Sequence, residues 1–272
     1  MTAPRGHVAP PQPGTRSVLR SVAVPTEHGG WDLTLEPVVL GLVIFPSGAG
    51  LCLASAALVG FMARMPLKVV LVDASRGRHL ERTTVARRLV AAELIVLVAL
   101  VAGAFVLAQG PFWVPAVVAA PLVGLELWFD MRSRSRRLVP ELAGAVGISS
   151  VVAMIVLAGA GDARLAGALW LILVARCVTS IPFVRDQIAR LHRRPRRSPT
   201  LVVADLAALG TAAVSVALDF ALTAGAVALA GIVTYQRFSA RRPLPRAVVL
   251  GLRQMALGFA LVAVTAAGVL MT

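Results

Sequence analysis

Several charged residues lie within or at the edge of long apolar runs, where an ionisable side chain is energetically expensive. Arg64 and Lys68 are four residues apart, so a helix would place them on one face. Asp73 follows where the apolar run ends, and Ser75–Arg78 has the composition of a turn. Basic side chains beside an aspartate predict an anion-binding corner that can also hold a divalent cation.

The stretch Arg176–Gln187 repeats this order, with a basic residue inside an apolar run, then Pro182, then Arg185-Asp186 at the edge. We therefore expect the two stretches to form one anion clamp. Its substrate-binding residues would be Arg64, Lys68, Arg76, Arg176 and Arg185. Its metal ligands would be Asp73 and Asp186, which are available to hold a divalent cation.

A third polar group precedes and enters the first apolar run. Glu36, beside Pro37, lies about one helical turn inside the predicted bilayer. A buried carboxylate needs a cation or a proton, and we expect Arg64 or Lys68 to be its partner. We predict that Glu36 and His28 serve as acid or base, although a lone histidine also suits a structural role.

The composition is that of a membrane protein. The chain is 58% hydrophobic and 15% charged, with a mean hydropathy of +0.82, whereas a soluble domain has about a quarter charged residues. The net charge of +14 does not indicate nucleic-acid binding, because the basic residues lie between apolar runs. Cys52 and Cys177 are predicted in opposite halves of the bilayer, which argues against a disulfide.

Nine apolar segments, most of them about 17–24 residues long, have the length that a membrane-spanning helix needs. They run approximately over Leu33–Phe45 (extended back through Gly30), Ala49–Val72, Arg87–Ala108, Phe112–Phe129, Val139–Gly159, Leu165–Phe183, Leu201–Ala217, Phe220–Tyr235 and Ala247–Met271. A count of eight stays open if Leu201–Tyr235 is bent, and not broken, at Leu218-Asp219. The predicted fold is an all-α transmembrane bundle.

The loops carry a regular charge pattern. Those after even-numbered segments are basic, and those after odd-numbered segments are nearly uncharged. The positive-inside rule then predicts a protein of the cell membrane with its N-terminus and basic loops in the cytoplasm. Residues 1–24, rich in Pro, Gly and Arg, are expected to be a disordered leader, and residues 25–272 a single transmembrane domain. The ionisable residues predict a polar site open to the cytoplasm and closed toward the outside.

Three motifs resemble the YwiC-like family of bacterial integral membrane proteins: E-H-G-G-W-D-L-T-L-E-P-V-V-L-G-L from Glu27, P-L-K-V-V-L-V-D-A-S-R-G-R from Pro66, and S-I-P-F-V-R-D-Q-I-A-R-L from Ser180. The tail G-L-R-Q-M-A-L-G-F is also similar, with Gln254 where the resemblance leads us to expect Glu. The resemblance implies a helical membrane fold more than an activity.

A more distant likeness is to the UbiA-type intramembrane prenyltransferases, with nine helices and aspartate motifs at the inner ends of the second and sixth. This resemblance implies Mg²⁺ and a prenyl diphosphate at those motifs. Here each motif has a single aspartate, Asp73 or Asp186, surrounded by basic residues. Diphosphate binding mainly by arginine and lysine would be the variant chemistry.

Two classes of function follow from these patterns. The first is a transferase, or a protein that binds a polyprenyl or lipid diphosphate. The second is a transporter or a non-catalytic assembly factor for a respiratory complex. Transport predicts an internal repeat with a site at the midplane, and we find no convincing repeat in the sequence.

The predicted topology can be tested with reporter fusions. Alkaline phosphatase fused after Thr272 should be active and green fluorescent protein there should be dark, because nine crossings from a cytoplasmic N-terminus end outside the cell. The same fusions after Arg246 should give the opposite result. Fluorescence after Thr272 would mean an even number of crossings.

Overall fold

The computed structural model describes residues 28–78, 80–132, 137–192 and 198–272, so the leader lies outside the described residues. Every regular element in these ranges is a helix, and the predicted bundle is confirmed. Its nine helices are α1 (His28–Ile44), α2 (Gly48–Ser75), α3 (Glu81–Leu107), α4 (Trp113–Met131), α5 (Leu138–Ala158), α6 (Ala163–Leu191), α7 (Ser198–Leu218), α8 (Thr223–Ser239) and α9 (Ala247–Met271).

Seven of these helices are long and apolar enough to cross a membrane, namely all except α1 and α8. The two exceptions have 17 residues each. At about 1.5 Å per residue they approach the thickness of the hydrocarbon core, which is about 30 Å. The architecture is that of a multi-pass membrane protein.

Two irregularities decide the helix count. Helix α5 consists of Leu138–Ser149 and Val151–Ala158, with a bend at Ser150, whose hydroxyl donates to the Gly147 carbonyl oxygen at 2.7 Å. The junction of α7 and α8 is a true break. Asp219 there accepts a hydrogen bond from the Ala221 amide at 3.0 Å and caps a short 3₁₀ turn. The count is therefore nine, and not eight, in the described residues.

Two helices continue further than their apolar runs predict. Helix α2 passes through Pro66 to Ser75, and α6 passes through Pro182 to Leu191. Neighbouring helices can compensate for the backbone hydrogen bond that a proline removes, which is why prolines are tolerated in membrane helices. Arg185 and Asp186 therefore project from a helix and not from a loop. The predicted turn after α2 is present, and Gly77 supplies its positive φ of 62°.

Helix α1 lies at the centre of the bundle and packs against α2, α5, α6 and α9. Leu40 of α1 and Ile155 of α5 are completely buried where these two helices meet. Gly41 allows the close approach, because a Cβ atom there would lie 2.9 Å from the Ile155 Cβ. Helix α3 is the opposite case, since it packs along α2 and few of its residues are buried.

Short connections join successive helices, so we infer that odd-numbered helices begin, and even-numbered helices end, at the same end of the bundle. We call this the polar end, because it holds nearly all the ionisable residues of the helices. Two acidic residues at the opposite end, Asp162 and Asp219, cap helical turns. The charges therefore concentrate on one side of the bundle, as the sequence predicts. That the polar end lies on the cytoplasmic side of the membrane stays a prediction.

The contact between α1 and α5 can be tested with Gly41→Ala. The added methyl group would press on a side-chain atom next to the α5 backbone, so we expect a loss of about 1–3 kcal/mol in the free energy of unfolding. Gly231→Ala is the matched control, because its Cβ would meet open space. It should leave thermal unfolding in detergent unchanged or slightly raised. Equal midpoints for both variants would contradict this packing.

Candidate functional site

A buried ion pair connects α1 with α6, and each of its two residues lies near the middle of its helix. The Arg176 Nη2 atom lies 3.6 Å from Oε1 of Glu36, and the two side chains are 1% and 2% exposed. Arg176 is among the largest fully buried side chains in the described residues. The expectation that Glu36 pairs with Arg64 or Lys68 is wrong, because both of those side chains pair with α4.

Glycine on α9 makes room for this ion pair. A Cβ atom at Gly258 would overlap the Glu36 carboxylate and lie 3.3 Å from Nη2 of Arg176. The guanidinium also donates to α9 through Gln254, to the side-chain oxygen at 3.1 Å and to the backbone carbonyl at 2.7 Å. Three helices therefore meet around one arginine. Gln254 stands where the family resemblance suggests an acid, and it serves as an acceptor.

A chain of polar contacts continues from Gln254 to the last helices. Gln254 accepts from Gln236 of α8 at 3.5 Å, and the Thr179 hydroxyl lies 3.1 Å from the Gln236 side-chain oxygen and 2.6 Å from Asp205 of α7. Arg237 then pairs with Asp205 at 2.5 Å. Thr179 and Gln236 are not among the site residues predicted from the sequence. A neutral polar residue in an apolar helix was the available signal, since such a group must find a partner.

The basic pair of α2 contacts acidic residues of α4. Arg64 lies 2.5 Å from Glu126, and both Arg64 and Lys68 approach Asp130, at 3.4 and 3.3 Å. The prediction that Arg64 and Lys68 share a face is confirmed. That face meets two carboxylates, however, because Glu126 and Asp130 are themselves four residues apart on α4.

Asp73 connects the end of α2 to the start of α3. It accepts a hydrogen bond from the Thr83 hydroxyl at 2.6 Å and pairs with Arg82 at 3.2 Å. Arg76 lies in the exposed turn between these helices. Neither Asp73 nor Arg76 lines the cavity described next. The contacts of Asp73 explain its burial without a metal ion.

A cavity of about 1720 Å³ extends between the helices and reaches the polar end. Its wall is mainly apolar and comes from every helix except α8. The charged side chains in the wall are those of Asp32, Glu93, Glu126, Glu141, Asp186, Arg64, Arg137, Arg176 and Arg185. This charged zone is the candidate site.

The structure brings part of the predicted site together. Four of its residues line the cavity, namely Arg64, Arg176, Arg185 and Asp186. Glu36 lies against Arg176, and Lys68 contributes to the contact with α4. The side chain of His28 lies outside what the structure describes.

A metal centre gains no support from the described ranges. They contain no group of three or more His, Cys, Asp or Glu side chains placed to hold a metal ion. Asp186 lines the cavity and Asp73 does not, so the two predicted ligands do not face one common space.

The charges of the wall do not form a basic cluster. Arg64 pairs with Glu126, and Arg185 pairs with Glu141 at 2.5 Å. The guanidinium of Arg176 is paired with Glu36. Carboxylates are therefore at least as numerous as guanidinium groups around the cavity in the described part of the chain. An anionic ligand would have to compete with these carboxylates for Arg64, Arg176 and Arg185.

The fold, the apolar helices and the cavity define a multi-pass integral membrane protein. Residues 24–156 match the family described as YwiC-like protein. This confirms the resemblance over the part of the chain that contains the first two motifs, whereas the motif from Ser180 and the tail lie beyond it. No curated protein and no solved structure matched the chain.

The buried ion pair can be tested with Arg176→Met, a change of similar volume. Loss of the cation would leave Glu36 buried without a partner charge, so we expect the free energy of unfolding in detergent to fall by about 3–5 kcal/mol. Combining it with Glu36→Gln should recover part of that loss. Arg164→Met, at the exposed opposite end, is the control and should change little. An equally small effect of Arg176→Met would contradict the pair's role.

Proposed function

We propose that this integral membrane protein binds an amphipathic, lipid-like molecule within its cavity. The observation that carries the proposal is one continuous space with a mainly apolar wall and a charged zone at one end. An amphipathic molecule has the same two parts, an apolar chain and a polar head group. Its head group would lie among Asp32, Arg176, Arg185 and Asp186.

The size of the cavity supports a ligand with a long chain. Sites for small molecules in proteins usually enclose about 300–1,000 Å³, and this cavity has about 1720 Å³. Apolar residues such as Phe61 and Leu67 of α2, Leu97 of α3 and Val123 of α4 line it along the helices. Such a wall gives a hydrocarbon chain favourable contacts and gives water none.

The arrangement of α3 and α4 favours entry from the bilayer. Both helices line the cavity, and they meet near their short connection, where the rings of Phe105 and Phe112 lie 4.7 Å apart. Otherwise α3 packs along α2 and has no comparable contact with α4 in the described residues. A lateral opening between α3 and α4 would admit a molecule without exposing its chain to water.

The paired charges give less support to a polyprenyl diphosphate. A diphosphate carries several negative charges and would need free cations. Of the four arginines in the cavity wall, Arg64, Arg176 and Arg185 already form ion pairs with carboxylates. Transferase activity with Mg²⁺ would also need a metal site that the described residues do not assemble. Binding of a membrane lipid requires neither a cluster of unpaired arginines nor a metal site. With the orientation that the basic loops predict, the head group would face the cytoplasm.

Occupancy of the cavity can be tested by filling it. Gly60 of α2 and Gly251 of α9 line the cavity, and a Cβ atom at either would meet open space. Gly60→Phe and Gly251→Phe should therefore fold and project a ring into the space meant for the ligand. Lipid extraction and mass spectrometry of the purified proteins should find a co-purifying amphipathic molecule with the parent chain, reduced about tenfold or more in both variants.

Gly231→Phe is the matched control. Gly231 also has open space around it, but it lies on α8 outside the cavity. It should retain as much of the co-purifying molecule as the parent chain. The proposal would be overturned if the parent chain and all three variants retained the molecule equally, or if none of these four proteins retained it.

A further inference from the structure

We infer that the head group bound in this cavity is cationic, an alkylammonium group, and that Asp32 is its counter-ion. The inference rests on the proposed function and adds the chemical class of the ligand. It starts from an imbalance of buried charge around Arg176.

Two carboxylates share one guanidinium at this point. Asp32 and Glu36 are four residues apart on α1, so they lie on the same face of that helix. Arg176 interacts electrostatically with both of them, and its direct ion pair is with Glu36. One positive and two negative groups leave a net negative charge. In a low-dielectric interior such a charge requires a further cation or a proton.

Asp32 is the carboxylate of this trio that is available to a ligand, because Asp32 and Arg176 line the cavity whereas Glu36 does not. Asp32 is only 6% exposed. Its Oδ1 atom has no hydrogen-bond partner among the described residues. A buried acceptor without a partner costs free energy, and a charged acceptor costs more than a neutral one. An ammonium head group would supply the missing donor and the missing charge together.

The rest of the wall does not reverse this sign. The ion pairs Arg64–Glu126 and Arg185–Glu141 largely cancel their own charges. Arg137 and Asp186 also line the cavity and are opposite in sign, so together they add no net charge. Glu93 of α3, which also lines the cavity, has a buried Oε2 atom without a hydrogen-bond partner in the described ranges. It adds a second carboxylate on the side where we propose that the ligand enters. A cation approaching between α3 and α4 would be attracted at both positions.

The ammonium group could belong to a membrane aminolipid or to a free lipophilic amine, and the chemistry at Asp32 is the same for both. Purified protein in a neutral detergent is offered four probes, each measured by native mass spectrometry. Two are lipids, phosphatidylethanolamine and phosphatidylglycerol, and two are single-chain amphiphiles, dodecylamine and dodecyl phosphate. We expect the parent chain to prefer the amine of each pair by about tenfold or more, as a charge-assisted hydrogen bond allows.

The Asp32→Asn variant keeps the shape of the side chain and removes its charge. It should still bind amphiphiles but lose the preference for the amine by about tenfold. Asp32→Glu should keep the preference, and Asp219→Asn, the same change at the opposite end of the bundle, should behave like the parent. Thermal unfolding of each variant establishes that it is folded. Preference in the lipid pair identifies an aminolipid, and preference only in the single-chain pair identifies a free amine.

The outcomes separate this inference from the proposed function. If Asp32→Asn binds with unchanged head-group preference while Gly60→Phe abolishes binding, the cavity binds lipid and the cationic head group is refuted. A parent chain that favours the anionic member of either pair also refutes it, as does a parent chain without any preference, which would indicate a protonated Asp32. If no probe binds to the cavity of the parent chain, the proposed function itself fails.

Discussion

The bundle depends on the placement of one guanidinium group. Arg176 lies in the middle of an apolar assembly with 1% of its side chain exposed, where a charge without a partner would cost several kcal/mol. Its position is tolerable because α1 supplies Glu36 and α9 supplies the oxygens of Gln254. Gly258 is small enough for the carboxylate to fit. The packing of α1, α6 and α9 is therefore constrained, because these helices must supply the acceptors for the guanidinium of Arg176.

The same constraint separates structural polarity from polarity that faces the cavity. From Gln254 the contacts run through Gln236 and Thr179 to Asp205, so each group is satisfied by protein. Asp32, which lines the cavity, is left with an acceptor that no described residue reaches. A network that is complete toward α7, α8 and α9 and incomplete at the cavity indicates where a ligand can contribute. This asymmetry is the physical basis for placing the head group at Asp32.

The helices could be predicted from the sequence because most apolar runs have the length of a membrane crossing and because basic loops alternate with uncharged ones. The concentration of charge at one end followed from the same pattern. The partners of individual charges could not be predicted, because they depend on how each helix is rotated about its axis. Lys68 faces α4 and Glu36 faces α6, and an apolar run of Leu, Val and Ala does not specify either rotation. The cavity could not be predicted from the sequence either, since it is bounded by residues from eight helices.

The similar ends of α2 and α6 show why a motif does not determine a role. Both contain a basic residue, a proline and an aspartate in the same order, yet α6 packs within the bundle and α2 has the peripheral α3 on one side. Arg176 is accordingly buried, whereas the side chain of Arg64 is 31% exposed. Asp186 lines the cavity, whereas Asp73 accepts a hydrogen bond from Thr83 of α3 and so connects the end of α2 to α3. The burial of a helix determines how many partners its charges must find. Similar residues therefore form part of the cavity wall on α6 and a connection between helices on α2.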